Sequence, residues 1–82
     1  MKFDLSQSIK DHTFTVKVKL DQFKNLRDYE VCHNLINALS LEFDLDPEIS
    51  VDDLKNIVSE AKNEEAEEIN CEIGPEGIDI EF

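Results

Sequence analysis

The sequence is poor in the residues that punctuate or staple a chain: its 82 residues include two glycines, two prolines, two cysteines, one methionine and no tryptophan. With so little glycine there is no phosphate-cradling loop, and neither a GxSxG elbow nor a Walker-type lysine motif occurs. Cys32 and Cys71 lie far apart and outside any CxxC pattern, so they read as two reduced, buried thiols. No apolar run approaches the roughly 18 residues of a membrane span. The opening stretch, MKFDLSQSIKD, has no apolar core of signal-peptide length, which sets the expectation of a cytoplasmic protein.

Basic residues are scarce as well. Eight Lys and Arg stand against 20 Asp and Glu, a net charge of -12. The imbalance is uneven: residues 1–27 carry six basic and three acidic side chains, or +3, whereas residues 28–82 carry two and 17, or -15. Such a field repels nucleic acid and anionic membranes over a Debye length of about 8 Å and attracts basic protein surfaces. Direct nucleic-acid binding is therefore disfavoured, and a basic protein is the expected partner.

What is present is a clear alternation of patterns. Phe3, Leu5, Ile9, Phe14, Val16, Val18 and Leu20 recur at period two, the mark of strands, and a four-residue loop over residues 10–13 would pair Ile9 with Phe14, Leu5 with Val18, Phe3 with Leu20 and Asp4 with Lys19. Asp21 to Leu26 reads as a polar connection. Cys32, Leu35, Ile36, Leu39 and Phe43 then trace a helical stripe, giving a helix over residues 26–41 that Asp46-Pro47 cannot continue. Ser50 and Asp53 form a capping box that opens a second helix, expected to run to Ile69 with Leu54, Ile57, Val58 and Ala61 inward. Ile69, Cys71 and Ile73 alternate, as do Ile78, Ile80 and Phe82. They flank Gly74-Pro75-Glu76-Gly77, expected as a four-residue loop on a type I turn that sets Ile73 against Ile78 and Glu72 against Asp79.

The order ββααββ predicts one α+β domain over residues 1–82, a four-stranded antiparallel sheet with both helices on one face. Its expected core comprises Phe3, Leu5, Phe14, Val16, Val18, Leu35, Ile36, Leu39, Leu54, Ile57, Val58, Cys71, Ile73 and Ile80. The repulsive Glu72–Asp79 pairing calls for a basic neighbour, for which Lys17 and Lys19 qualify.

Catalytic and metal chemistry find little purchase. Asp44, Asp46 and Glu48 imitate a calcium loop, but Ile49 and Lys55 stand where a glycine and a bidentate glutamate are required. Cys32 and His33 are adjacent and so point about 100° apart on a helix, out of reach of one another. His12 and His33 lack zinc-ligand spacing. The many carboxylates would be solvated, with no pocket to separate their pKa values. The chain is thus expected to be neither an enzyme nor a cofactor binder.

The second helix carries the functional expectation. Glutamates at i and i+4 repel by roughly 0.2–0.5 kcal/mol a pair and, near the helix end, oppose the dipole. Stability alone does not favour them. A row at that spacing advances about 6 Å per step, close to two nucleotide rises, and can stand in for phosphates. Asp52, Glu60, Glu64, Glu67, Glu68, Glu72 and Asp79 are the candidate partner-binding residues, on a monomer or homodimer. In size and charge the chain resembles small phage-encoded inhibitors of the anti-CRISPR, anti-restriction and glycosylase-inhibitor types, which implies an inhibitor of a basic, nucleic-acid-binding protein. The alternative is a regulatory or immunity-type module, binding through a sheet edge or helix groove, whose acidity serves mainly solubility.

Overall fold

Alternating apolar residues make four strands, and two capped amphipathic segments make the helices that cover them. The computed structural model describes residues 1–45 and 49–82, with β1 at Asp4–Ser8, β2 at Thr13–Lys19, α1 at Leu26–Leu41, α2 at Val51–Asn63, β3 at Glu68–Gly74 and β4 at Gly77–Glu81. The strands form one antiparallel sheet in the order β1-β2-β3-β4. Both helices pack on β3 and on each other. The architecture is the α+β arrangement expected from the sequence. The helix-breaking Asp46-Pro47 pair and Glu48 lie outside the described residues.

Helix starts follow local chemistry closely. Ser50 and Asp53 make the reciprocal cap: the Asp53 amide donates to Ser50 Oγ at 3.1 Å and the Ser50 amide donates to Asp53 Oδ2 at 3.1 Å. Asn25 and Asp28 repeat the device on α1, at 3.2 and 3.1 Å. Helix ends are less direct. α2 stops at Asn63, six residues before Ile69, and the expected helical continuation through Asn63–Glu68 is replaced by a Schellman turn: Ala66 N–H donates to Ala61 C=O and Glu65 N–H to Lys62 C=O, with Glu65 at φ 59. The inward stripe runs out at Ala61, since Glu64, Glu65 and Glu68 offer nothing apolar for another turn, and Ala66 packs on the core instead. α1 ends on the same motif, with Leu45 N–H to Ser40 C=O, Asp44 N–H to Leu41 C=O and Asp44 at φ 54.

The first hairpin differs from expectation by two residues. Leu5 pairs with Val16, Asp4 with Lys17 and Ser8 with Thr13, so the loop is residues 9–12 and Ile9 is 82% exposed. Ser8 decides this: its Oγ accepts from the Asp11 amide at 3.3 Å and donates to Asp11 Oδ2 at 3.2 Å, closing a turn that His12 leaves at φ 54. A two-residue slip keeps every side chain on its face, so the face assignments survive it. In the second hairpin Ile73 faces Ile78, Cys71 faces Ile80 and Glu72 faces Asp79 as expected. The ladder, however, continues to Gly74–Gly77, leaving Pro75-Glu76 alone as the turn. Gly77, at φ 132, supplies the backbone conformation that permits this.

The core centres on β2, β3 and the facing sides of the helices. Val16, Val18, Cys32, Ile36, Leu54, Val58, Ala61, Ile69, Cys71 and Ile73 are fully buried. Phe3, Leu35, Leu39, Ile57 and Ile80 pack at its margin, and Phe14 meets the Phe43 ring edge-on at 5.6 Å. Leu5, expected in the core, is 52% exposed, because β1 is an edge strand that the helices do not cover. Phe23 is a core member hidden in the supposed polar connection: a 3₁₀ turn over Leu20–Gln22 swings it inward, to 5.0 Å from Tyr29.

Candidate functional site

The strand order turns the charge split along the chain into a split in space. β1 and β2 form one half of the sheet and β3 and β4 the other. Residues 64–82 hold eight carboxylates and no lysine or arginine. They make up the β3–β4 half together with the turn that leads into it.

The seven candidate residues do not form one row. Asp52 and Glu60 are exposed on α2, and Glu64 is its C-cap. Glu67 lies in the turn after the helix. Glu68, Glu72 and Asp79 belong to strands and project from the sheet face opposite the helices, since their neighbours Ile69, Cys71 and Ile73 are buried beneath them. The expected i, i+4 series Glu60–Glu64–Glu68 therefore breaks after its first step.

On the open face the side chains fall into rungs across the sheet. One reads Asp4, Lys17, Asn70, Glu81; the next reads Ser6, Thr15, Glu72, Asp79; Lys19 stands beside Glu68. Lys17 and Lys19 do sit on the strand next to β3, but the Glu72–Asp79 pair has Thr15 in its rung instead of a lysine. Two like charges directly opposite one another destabilise a sheet by some tenths of a kcal/mol, and the one diagonal cation, Lys17, about 7–8 Å from Glu72, relieves this only in part. A hollow of about 470 Å³ adjoins this pair, lined by Asp11, Glu72, Glu76 and Asp79 around Gly74. A Cβ on Gly74 would come within 2.8 Å of Thr13 Cγ2, so glycine is what lets β2 approach closely there.

A second feature lies on the other side of β4. Ile78 and Ile80 point toward the helices but remain half-buried, and with Ile49 and Ile57 they floor a cleft of about 430 Å³ between β4 and α2. Asp53 and Glu60 rim it. Sequence patterns assigned Ile57 and Ile80 wholly to the core and Asp53 to capping. The signal for the cleft was faint: Ile57 lies at the edge of the inward stripe of α2 and is only half-buried.

Four other titratable groups, Cys32, Cys71, His33 and Asp28, have structural roles. Burial pushes the Cys32 thiol up to about 12, with Cys71 nearby adding to the effect, and pushes the Cys71 thiol up to about 11. Neither is a nucleophile at neutral pH. His33 Nε2–H donates to the Ile49 carbonyl at 2.9 Å, strapping α1 to the residue before the Ser50 cap of α2. The backbone amides of Lys24 and Asn25 hold the Asp28 carboxyl below its usual range. Among the described residues no three His, Cys, Asp or Glu side chains come together as metal ligands, and no helix is long and apolar enough to cross a membrane. No protein-family model, curated protein or solved structure matches the chain.

Proposed function

We propose that this chain is a small acidic interaction protein, an inhibitor that occupies the nucleic-acid groove of a basic protein, of the phage anti-CRISPR or anti-restriction type. The supporting observation is the spatial segregation of charge: a half-sheet bearing carboxylates without Lys or Arg, including the Glu72–Asp79 pair that costs stability. The broken helical row moves the phosphate mimicry to the strands. Asp79 and Glu81, alternate residues of β4, are spaced about 6.8 Å, two nucleotide rises of about 3.4 Å. The partner is a cytoplasmic basic protein, and direct contact with nucleic acid or membrane is opposed by the same field.

The cleft favours a second reading, in which a regulatory or immunity-type module grips its partner mainly through apolar contacts. Ionic strength separates the two. Immobilised protein should retain basic proteins from a host lysate at about 50 mM salt and release them at about 500 mM or on addition of duplex DNA, because a nucleic-acid groove filled by carboxylates is screened and competed like one filled by phosphates. A variant carrying Glu72→Gln, Asp79→Asn and Glu81→Gln should retain far less. Retention that ignores salt, DNA and these three changes would exclude the decoy and leave the apolar module.

A further inference from the structure

We infer that β4 is a docking edge for an extended segment of a partner protein in which apolar and basic residues alternate. This rests on the reading above that the partner is basic, and adds how it is gripped. Among the described residues β4 ends the sheet, so one side of its backbone has no strand to pair with. A strand added there continues the pleat, with alternate side chains falling to opposite faces. On the helix side they meet the cleft floored by Ile57, Ile78 and Ile80, whose volume of about 430 Å³ accommodates aliphatic side chains. On the open side they come beside Asp79 and Glu81, which are exposed. One face of the added strand must therefore be apolar and the other cationic.

The geometry selects against the other occupants. A second copy paired through β4 sets Asp79 and Glu81 against their own counterparts, and like charges directly opposite are unfavourable. The opposite edge, β1, offers Leu5, 52% exposed, on the helix side, and on the open face Ser6, Ser8 and a single carboxylate, Asp4, that stands opposite Lys17, so it supplies neither the cleft nor an unopposed acidic row. A basic helix could use the carboxylates but not the unpaired backbone of β4.

The test uses the whole protein, labelled with nitrogen-15, and three synthetic peptides of about ten residues, long enough to span the strand. The first alternates valine and lysine; the second has the same composition with the two residue types in separate blocks; the third repeats the first with N-methyl groups along one backbone edge. The alternating peptide should bind at least about tenfold more tightly than the block peptide, shift the amides of Gly77–Glu81, Ile57 and Glu60, and lose this advantage on N-methylation. The double variant D79K/E81K, altered only at exposed positions, should keep its amide spectrum elsewhere and weaken binding by a similar factor. Equal binding of alternating and block peptides, or shifts confined to β1 or the open face, would overturn the docking edge while leaving a basic partner standing. Failure of every lysine peptide to bind at low salt would overturn both.

Discussion

Glu65 holds a backbone conformation, φ 59, that glycine adopts freely and other L-residues adopt at a cost of roughly 1–2 kcal/mol. The Schellman turn around it fixes that geometry through the Ala66 and Glu65 amides. Glu65→Gly removes the strain and a carboxylate near the negative helix end, offset by the greater freedom of glycine in the unfolded chain. A net gain of roughly 0.5–1 kcal/mol is expected, read as a higher urea midpoint at unchanged slope; a loss would mean the turn is not the one that stops the helix. The thiols set a different limit. An ordinary thiol here titrates near 9.0, whereas folded Cys32 and Cys71 hold their protons to about 12 and about 11. Their contribution is fully present below pH 9.0 and is lost as pH rises toward the folded values, because the unfolded chain then releases protons that the fold retains. Urea unfolding of the native protein should therefore decline more steeply between about pH 9 and 11 than that of a C32A/C71A variant, and parallel declines would contradict the burial of the thiols.

Helix α2 has an N-terminus that could be read from the sequence and a C-terminus that could not. The Ser50 and Asp53 side chains announce the start within four residues of chain, whereas α1 was placed at Leu26–Leu41 by its apolar stripe and its Asn25–Asp28 cap emerges only in the structure. The stop depends on a left-handed glutamate, which no local preference favours, and on β3 needing Ile69 for its buried face. The Ser8–Asp11 turn likewise outweighed the apolar pairing of Ile9 with Phe14. This shortens the charge repulsion within α2 to the single pair Glu60 and Glu64. E60Q/E64Q should gain roughly 0.5 kcal/mol at low salt, whereas adding E68Q should give no more, since Glu68 stands beside Lys19 on the sheet. A triple variant clearly more stable than the double, by denaturant unfolding, would show that Glu68 still repels the helix.

At the scale of the molecule, period-two and helical patterns sufficed for the ββααββ arrangement and for which sheet face is apolar, since side-chain direction depends only on alternation. They could not supply strand order, which arises from packing between distant segments. Strand order is what makes the candidate site: it carries β4 to the edge, separates the lysines of β2 from Asp79, and opens the cleft against α2. The carboxylates were legible one by one, but their division between helix and sheet was not. The same order governs how the chain reaches its native state. The β1–β2 and β3–β4 pairs are local hairpins, able to form in microseconds, yet neither is stable alone, because two strands bury too little. The seam that joins them, β2 to β3, brings together residues separated by roughly 50 positions, and the loop-closure entropy falls due before the intervening helices can reward it. Val18 with Ile69 and Val16 with Cys71 are thus the contacts expected to limit the rate of folding, and the halves that meet there carry opposite charge, so the electrostatic asymmetry also draws the chain's own two ends together during folding.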